Sequence, residues 1–429
     1  MSSPDQRRTP AGRSGGSAGL SLRGASGRWV LLACVLGSGI AGIDSTVVNI
    51  ALPDIGRELH VGFASLQWTI TAYTLTLAAF ILIGGSLGDR LGRRRIFIVG
   101  IVWFAAASLL CALASTAGLL IAARALQGIG GALMTPASLA IIQASFSDAD
   151  RTRAIGAWSG LSGTTSAIAP FLGGWLIQAG SWRAVFLINP PLCALVIALA
   201  LRHMPETRDP NPTGRLDLLG CVLGVLGLGG VTAGIIAAAD HGFGSAAVLL
   251  PLGLGALALV AFVLAERYQP DPMMPVSLFA SRQFSAANLV TLLLYAANSG
   301  ALLLLVVELE TVARFSPLKA GTALLPITVI MLLFAARFGA LAQRIGPRIP
   351  MTVGPLVSAT GLLLLAELPA RANYLTNVLP AVLVLGCGLA IFVAPLTSTV
   401  LGAVPAAHAG LASGVNNAVA RAAGLISIA

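Results

Sequence analysis

Charge is what this sequence has least of. Asp, Glu, Lys and Arg make up 10% of its 429 residues, against about 25% in an ordinary soluble domain. That shortage excludes a soluble enzyme, because a water-soluble fold of this size needs far more polar surface. It also excludes a disordered regulator, which needs high charge and low hydrophobicity. Lysine is nearly missing: Lys319 stands alone. No GxxxxGK[ST] phosphate loop exists, which argues against ATP-driven pumping by this chain. The five cysteines, Cys34, Cys111, Cys193, Cys221 and Cys387, lie inside apolar runs and form no CxxC pair. They read as small packing residues, not as a disulfide framework. His60, His203, His241 and His408 are scattered, so no metal site and no Ser/His/Asp or Cys/His catalytic set stands out. The sequence is read as that of a non-enzyme with no cofactor.

What is abundant is apolar sequence. Hydrophobic residues make up 56% of the chain, and mean hydropathy is +0.89. Lipid requires every backbone polar group to be hydrogen-bonded within its own segment, so this composition implies an all-α polytopic membrane protein. The net charge of +10 could suggest a nucleic-acid partner. The arginines instead occupy short loops between apolar runs, where they obey the positive-inside rule. The partners expected are therefore the lipid bilayer and small solutes, and no nucleic acid.

A span needs about 20 apolar residues. Twelve stretches qualify, near 29–52, 64–87, 96–115, 118–143, 154–179, 183–202, 216–239, 245–265, 284–309, 319–342, 349–368 and 374–402. A thirteenth starts near Ala409 and is still running at Ala429. Residues 1–28, rich in Ser, Gly and Arg, read as a disordered cytosolic tail. With the N-terminus inside, nineteen basic residues fall in cytosolic segments and five outside. Arg124 and Arg421 fall within spans.

The chain also repeats itself. Residues 85–94 read GSLGDRLGRR after the second span, and residues 339–348 read GALAQRIGPR after the tenth. An offset of eight spans is what two six-span halves separated by two extra spans would give. Internal repeats mark transporter folds, with the substrate site between the halves. The division expected is a tail over 1–28, a six-span half over 29–203, two extra spans over 204–283 and an incomplete second half over 284–429. A 6+2+6 plan implies fourteen spans, so the last span is expected to be missing.

Three sets of residues stand out chemically. In the loop from Gly85 to Arg94, Gly85, Gly88 and Gly92 permit close helix approach and a tight turn. Asp89 can pair with Arg90, Arg93 or Arg94, which makes the loop a candidate conformational latch. Asp44 is the one carboxylate well inside a span, about 22 Å into a core of about 30 Å. Arg124 enters from the other side to a similar depth. Intramembrane ionisable residues are functional candidates by default. Burial opposes the carboxylate's charge and the guanidinium supports it, so a moving water front could load and unload a proton there. Asn49, Gln127 and Asn298 are polar groups within spans, and Glu308 and Glu310 lie at the outer end of the ninth. Together they are the candidate substrate cavity.

The loop G-x-L-x-D-R-x-G-R-R resembles the signature of the major facilitator superfamily. The run from Ile43 to Pro53 (IDSTVVNIALP) and the run from Arg124 to Ala132 (RALQGIGGA) are similar to first-span and fourth-span motifs of its fourteen-span drug–proton antiporter group, the EmrB/QacA type. Residues 160–174 resemble the antiporter motif, with Pro170, Gly173 and Gly174 in place. Ser181-Trp182-Arg183 through Asn189-Pro190 also fits. Departures are Ser166 or Ala167, and Ala169, at usual glycine positions, and Glu308 and Glu310 where an aromatic and Gln are common. The resemblance implies a major facilitator fold in the bacterial inner membrane. It implies export of small amphipathic drugs or metabolites in exchange for protons, with the proton gradient as energy source; the alternatives are a facilitator of another coupling type, such as a nutrient importer or uniporter, and a non-transporting sensor or inactive truncated fragment. By the same resemblance, Asp89 would face the start of the thirteenth span, near Ala409 to Ser413.

Overall fold

The structure is a computed structural model. It describes residues 20–428 except 148–149, 151–153, 156, 159–160, 162–168, 170, 179, 209–216, 271, 273, 275, 370–371 and 405–408. It is helical almost throughout. In chain order the helices are α1 (Ala25–Leu59), α2 (Phe63–Leu91), α3 (Arg93–Ala112), α4 (Ala117–Ser145) and α5 (Ala184–His203). They continue with α6 (Leu218–His241), α7 (Ala246–Tyr268), α8 (Arg282–Thr311), α9 (Pro317–Ala323), α10 (Leu325–Ile345), α11 (Arg348–Ala366), α12 (Leu379–Gly402) and α13 (Ala409–Ile428). Residues 171–178 are helical as well.

Among the described residues, nine helices are long and apolar enough to cross a membrane, or ten when α2, bent by 48° between Phe63–Ile81 and Ile83–Leu91, is counted. That is fewer than the expected spans, for identifiable reasons. In the fifth expected span, 154–179, residues 156, 159–160, 162–168, 170 and 179 lie outside the described residues, so no continuous helix is described there. The tenth is broken at Leu324 into α9 and α10. The thirteenth, α13, carries Asn416, Asn417 and Arg421, which lower its hydropathy. Several helices also run past the apolar stretch that announced them. α1 continues to Leu59, because a hydropathy window stops at Asp54 while backbone hydrogen bonding does not.

Residues 20–28, expected within a disordered tail, have defined places. Leu20 N donates to Ser145 O at 2.7 Å and Leu20 O accepts from Ser147 N at 3.2 Å. Asp150 accepts from Ser21 Oγ and Leu22 N, each at 3.0 Å. Leu20 and Leu22 pack on the apolar core around Phe97 and Phe146, which offsets the cost of ordering them.

The repeat seen in the sequence is a repeat in space. Gly92 and Gly346, at matching positions, both have positive φ, +111° and +84°, and both end a helix where the chain turns into the next. Eight residues further on, Gly100 and Gly354 meet the fourth helix of their own group. A methyl on Gly100 would stand 3.0 Å from Gly130 O, and one on Gly354 3.1 Å from Gly388 O. On the other side of that helix, a methyl on Gly128 would stand 2.1 Å from Thr76 Oγ1, and one on Gly386 3.0 Å from Ile327 Cα. Thus α4 packs between α2 and α3 as α12 packs between α10 and α11. In both places glycine permits the close crossing. Helices α6 and α7 pair with each other through Gly227, Gly230 and Gly255, and α6 leans on α2. Leu249, Leu250, Leu254 and Leu257 of α7 are exposed, as on a surface that faces lipid.

Candidate functional site

α1 and α4 are packed side by side, and this brings Asp44 and Arg124 together. Arg124 Nη1 donates to Asp44 Oδ2 at 2.5 Å. Both side chains are fully buried. An ion pair without water needs further hydrogen bonds to persist, and neighbouring helices supply them. Gln127, one turn beyond Arg124 on α4, donates to Asp44 Oδ1 at 2.8 Å and to Ser108 Oγ of α3 at 2.7 Å. Asn189 of α5 donates to the same carboxylate oxygen at 2.9 Å and to Ser108 Oγ at 3.0 Å. Arg124 Nε donates to Thr69 O of α2 at 3.2 Å. The guanidinium lies 4.3 Å from the centre of the Tyr73 ring, a cation–π contact. Helices α1 to α5 therefore meet at one carboxylate.

The arrangement is more than a plain ion pair. Asp44 Oδ1 has two amide donors besides the guanidinium on Oδ2, and Arg124 Nη1 also donates to Gln127 Oε1 at 2.5 Å, so carboxylate, guanidinium and amides form one network.

Asn189, Ser108, Thr69 and Tyr73 complete the site. In the sequence Asn189 stands out only as part of a motif that resembles a family's. Ser108 and Thr69 carry no signal in sequence, because polar residues of this kind inside apolar helices are common. Their roles follow from how five helices are placed, which a linear pattern does not encode.

The remaining candidates are distributed. Asn49 and Asn298 each have a buried amide oxygen without a partner, on α1 and α8, two helices that touch. Glu310 Oε1 is also buried without a partner. Glu308 is half-buried one turn away from Val312 N, which bonds to its carbonyl at 3.0 Å. At the same end, Trp182 Nε1 donates to Glu58 Oε2 at 2.8 Å, and Arg183 pairs with Glu58 Oε1. Gly173 is in close contact with α1: a methyl there would lie 2.7 Å from Val47 Cγ1. Gly174 is buried in the same helical stretch, and Pro170 lies outside the described residues.

Residues 85–94, expected as a loop, are helical except at Gly92: α2 runs to Leu91 and α3 starts at Arg93, because the positive φ of Gly92 turns one helix directly into the next. Asp89 pairs with Arg93 across that turn, Nε to Oδ1 at 2.8 Å. Arg93 Nη1 also reaches Ala140 O of α4 at 3.4 Å. Arg94 takes a different acid: its backbone N donates to Glu206 Oε1 at 3.1 Å, and its side chain to Met204 O at 3.0 Å. Glu206, which follows α5, thereby sits at the N-terminus of α3, where a negative charge is favoured. Gly85 lies against Pro136 of α4. Arg90 also makes a contact. Of the region expected opposite Asp89, the side chains of residues 409–411 and 413 lie outside the described set, while α13 as a whole packs along α2.

The profile of the Major Facilitator Superfamily matches residues 34–428. The chain belongs to that family. It is 37% identical over 408 residues to the puromycin resistance protein pur8 of Streptomyces alboniger, covering 94% of this chain and 80% of that protein. It is 34% identical over 389 residues to the multidrug resistance protein Stp of Mycobacterium tuberculosis, covering 90% of this chain and 72% of the relative. A crystal structure of the peptide transporter POT in complex with sulfate superposes with a TM-score of 0.70 at 14% identity, over 93% of this chain and 87% of that one. At that identity the likeness is one of fold.

Proposed function

We propose that this superfamily member exports small amphipathic drugs or metabolites across the cytoplasmic membrane and that protons drive it. Relatives named for puromycin and multidrug resistance support the export reading. The proton reading is carried by one observation: a carboxylate buried among five helices, with a guanidinium and two amides on it. Asp44 is the proton site and Arg124 its positioning partner, while Gln127 and Asn189 hold the carboxylate. The unpartnered oxygens of Asn49 and Asn298 offer acceptors to a solute between the two helix groups, and the carboxyl groups of Glu308 and Glu310 lie at the outer end of that seam.

In this reading α1–α5, with the helix that includes 171–178, form one rocking half and α8–α13 the other, with α6–α7 an inserted pair, as in the 6+2+6 plan of the fourteen-span group. The N-terminus is cytosolic and the latch of Gly85, Asp89, Arg90, Gly92, Arg93 and Arg94 faces the cytosol. Breaking its contacts to α4 and to Glu206 accompanies the rocking. Gly173 and Gly174, with Pro170, form the antiport helix that lies against α1 three residues beyond Asp44.

The test is proton flux in inside-out vesicles with an acidified lumen. Adding amphipathic antibiotics and dyes one at a time should collapse the gradient for those that are exported. Asp44→Asn should abolish that collapse; because it also leaves the Arg124 guanidinium buried without its counter-charge, flux is normalised to the folded protein recovered in the membrane. A gradient that collapses normally in Asp44→Asn removes Asp44 from the mechanism.

A further inference from the structure

Arg421 is an intramembrane cation that the Asp44 cluster leaves out. It lies about 18 Å along α13 from Ala409, well inside a core of about 30 Å. α13 is held between α8 and α2. Its register against α8 is fixed on both sides of Arg421. Asn416 Nδ2 donates to Asn288 Oδ1 at 3.1 Å and to Thr291 Oγ1 at 2.8 Å. Beyond it, a methyl on Gly424 would lie 3.4 Å from Ser299 Oγ, and Ser427 Oγ is tight against Gly300. Between these contacts Arg421 is half-buried, and Tyr295 lies at its level on the stripe of α8 (residues 288, 291, 295 and 299) that faces α13. With α2 on its other side, Arg421 stands at the seam between the two helix groups.

Among the described residues no carboxylate pairs with Arg421, and Asp44 is already held by Arg124, Gln127 and Asn189. With Asp44 ionised, Asp44, Arg124 and Arg421 leave one net positive charge at the seam. Protonation of Asp44 raises it to two. An arginine is costly at this depth, and a buried charge persists when something pairs with it. Its planar fork accepts a carboxylate through two parallel hydrogen bonds. Tyr295, at the same level on the facing stripe of α8, suits a flat ring attached to that carboxylate.

We propose that Arg421 recognises a carboxylate on the transported compound, so that the exporter prefers anionic aromatic amphiphiles over cationic ones of the same shape. The proposal rests on reading the seam as the transport path, but not on proton coupling. Its test is equilibrium binding to the purified full chain in lipid nanodiscs, with no gradient present. The probes are 5-carboxyfluorescein, an anion, and rhodamine 6G, a cation with the same ring system, each followed by fluorescence polarisation.

Wild type should bind 5-carboxyfluorescein saturably and more tightly than rhodamine 6G. Arg421→Gln should weaken the anion by about tenfold or more and leave the cation within about threefold, and Arg421→Lys should recover part of the loss. Rhodamine 6G binding in the same sample and recovery by Lys separate a lost recognition group from a misfolded protein. No saturable anion binding by wild type overturns the proposal. So does anion binding by Arg421→Gln within about twofold of wild type, or an equal loss of both dyes that Arg421→Lys does not reverse. Asp44→Asn decides the coupling question separately, because it is read as proton flux.

Discussion

In α4, Gly128 and Gly130 bring the helix against α2 and α3; in α12, Gly386 and Gly388 bring it against α10 and α11. The crossings match, and the chemistry beside them does not. Four residues before Gly128 stands Arg124, and four before Gly386 stands Val382. One residue before the same glycines stand Gln127 and Leu385. All four side chains are buried. Val382 and Leu385 lie in an apolar core with Phe284 and Leu389, while Arg124 and Gln127 hold Asp44. Two copies of one scaffold have thus been filled differently. Close packing needs the glycines in both, so the polar residues of the first copy are not there for packing. A valine satisfies the same geometry in the second.

The comparison breaks most sharply if the second copy's residue is placed in the first. Arg124→Val leaves Asp44 buried without its counter-charge, which costs about 3–5 kcal/mol. We expect a large fall in folded protein, read as a lower melting temperature in detergent and less protein in the membrane fraction. Adding Asn at position 44 in the same chain removes the stranded charge. The Asp44→Asn, Arg124→Val double variant should regain most of the stability and none of the proton flux. If the double variant is as unstable as Arg124→Val alone, the guanidinium's contacts to Thr69 and Tyr73 matter more than its charge.

The glycines should answer in the same direction in both copies. Gly128→Val and Gly386→Val each push a branched side chain toward a neighbouring helix backbone, and overpacking of this kind costs about 1–3 kcal/mol; the loss should be larger at Gly128, where a methyl would stand 2.3 Å from Tyr73 O, than at Gly386, where the nearest atom is Ile327 Cα at 3.0 Å. Losses of melting temperature at both positions, in that order, are what a shared scaffold requires. A tolerated Gly386→Val would mean that the second crossing has room that the first lacks.

The scaffold was legible in the sequence to a useful depth. Long apolar runs gave the helices, since lipid leaves the backbone no alternative, and the Gly92/Gly346 loops disclosed the repeat because turn residues are conspicuous between such runs. The matching pairs Gly128/Gly386 and Gly130/Gly388 were just as present but less conspicuous, as glycine is common throughout these helices. Asp44 and Arg124 could be paired by depth, because a charge inside a span has few possible partners. Asn189, Ser108 and Tyr73 could not, since depth does not say which face of a helix meets which neighbour. Glu206 was silent for another reason: one acid in a polar loop has many possible partners until the loop is placed beside Gly92.

That placement gives the finest contrast between the copies. Gly92 and Gly346 both have positive φ, so replacing either with Ala strains the backbone by about 1–3 kcal/mol. Around Gly346 a methyl would meet open space, whereas at Gly92 it would lie 2.7 Å from Glu206 Oε1. Glu206 is the side chain that accepts from Arg94 N and approaches the Arg94 and Arg95 side chains at 3.8 Å. Gly92→Ala should therefore cost more stability than Gly346→Ala, and Glu206→Ala should reduce the difference by removing the obstructing carboxylate. Glu206→Ala alone should cost little, on the order of 1 kcal/mol or less, because partly exposed ion pairs contribute little. The four chains can be compared by thermal unfolding in one detergent. Equal losses for Gly92→Ala and Gly346→Ala would mean that Glu206 yields freely. Its contact with the start of α3 would then be too weak to act as part of a latch, leaving that role to the Asp89–Arg93 pair and the reach of Arg93 to α4.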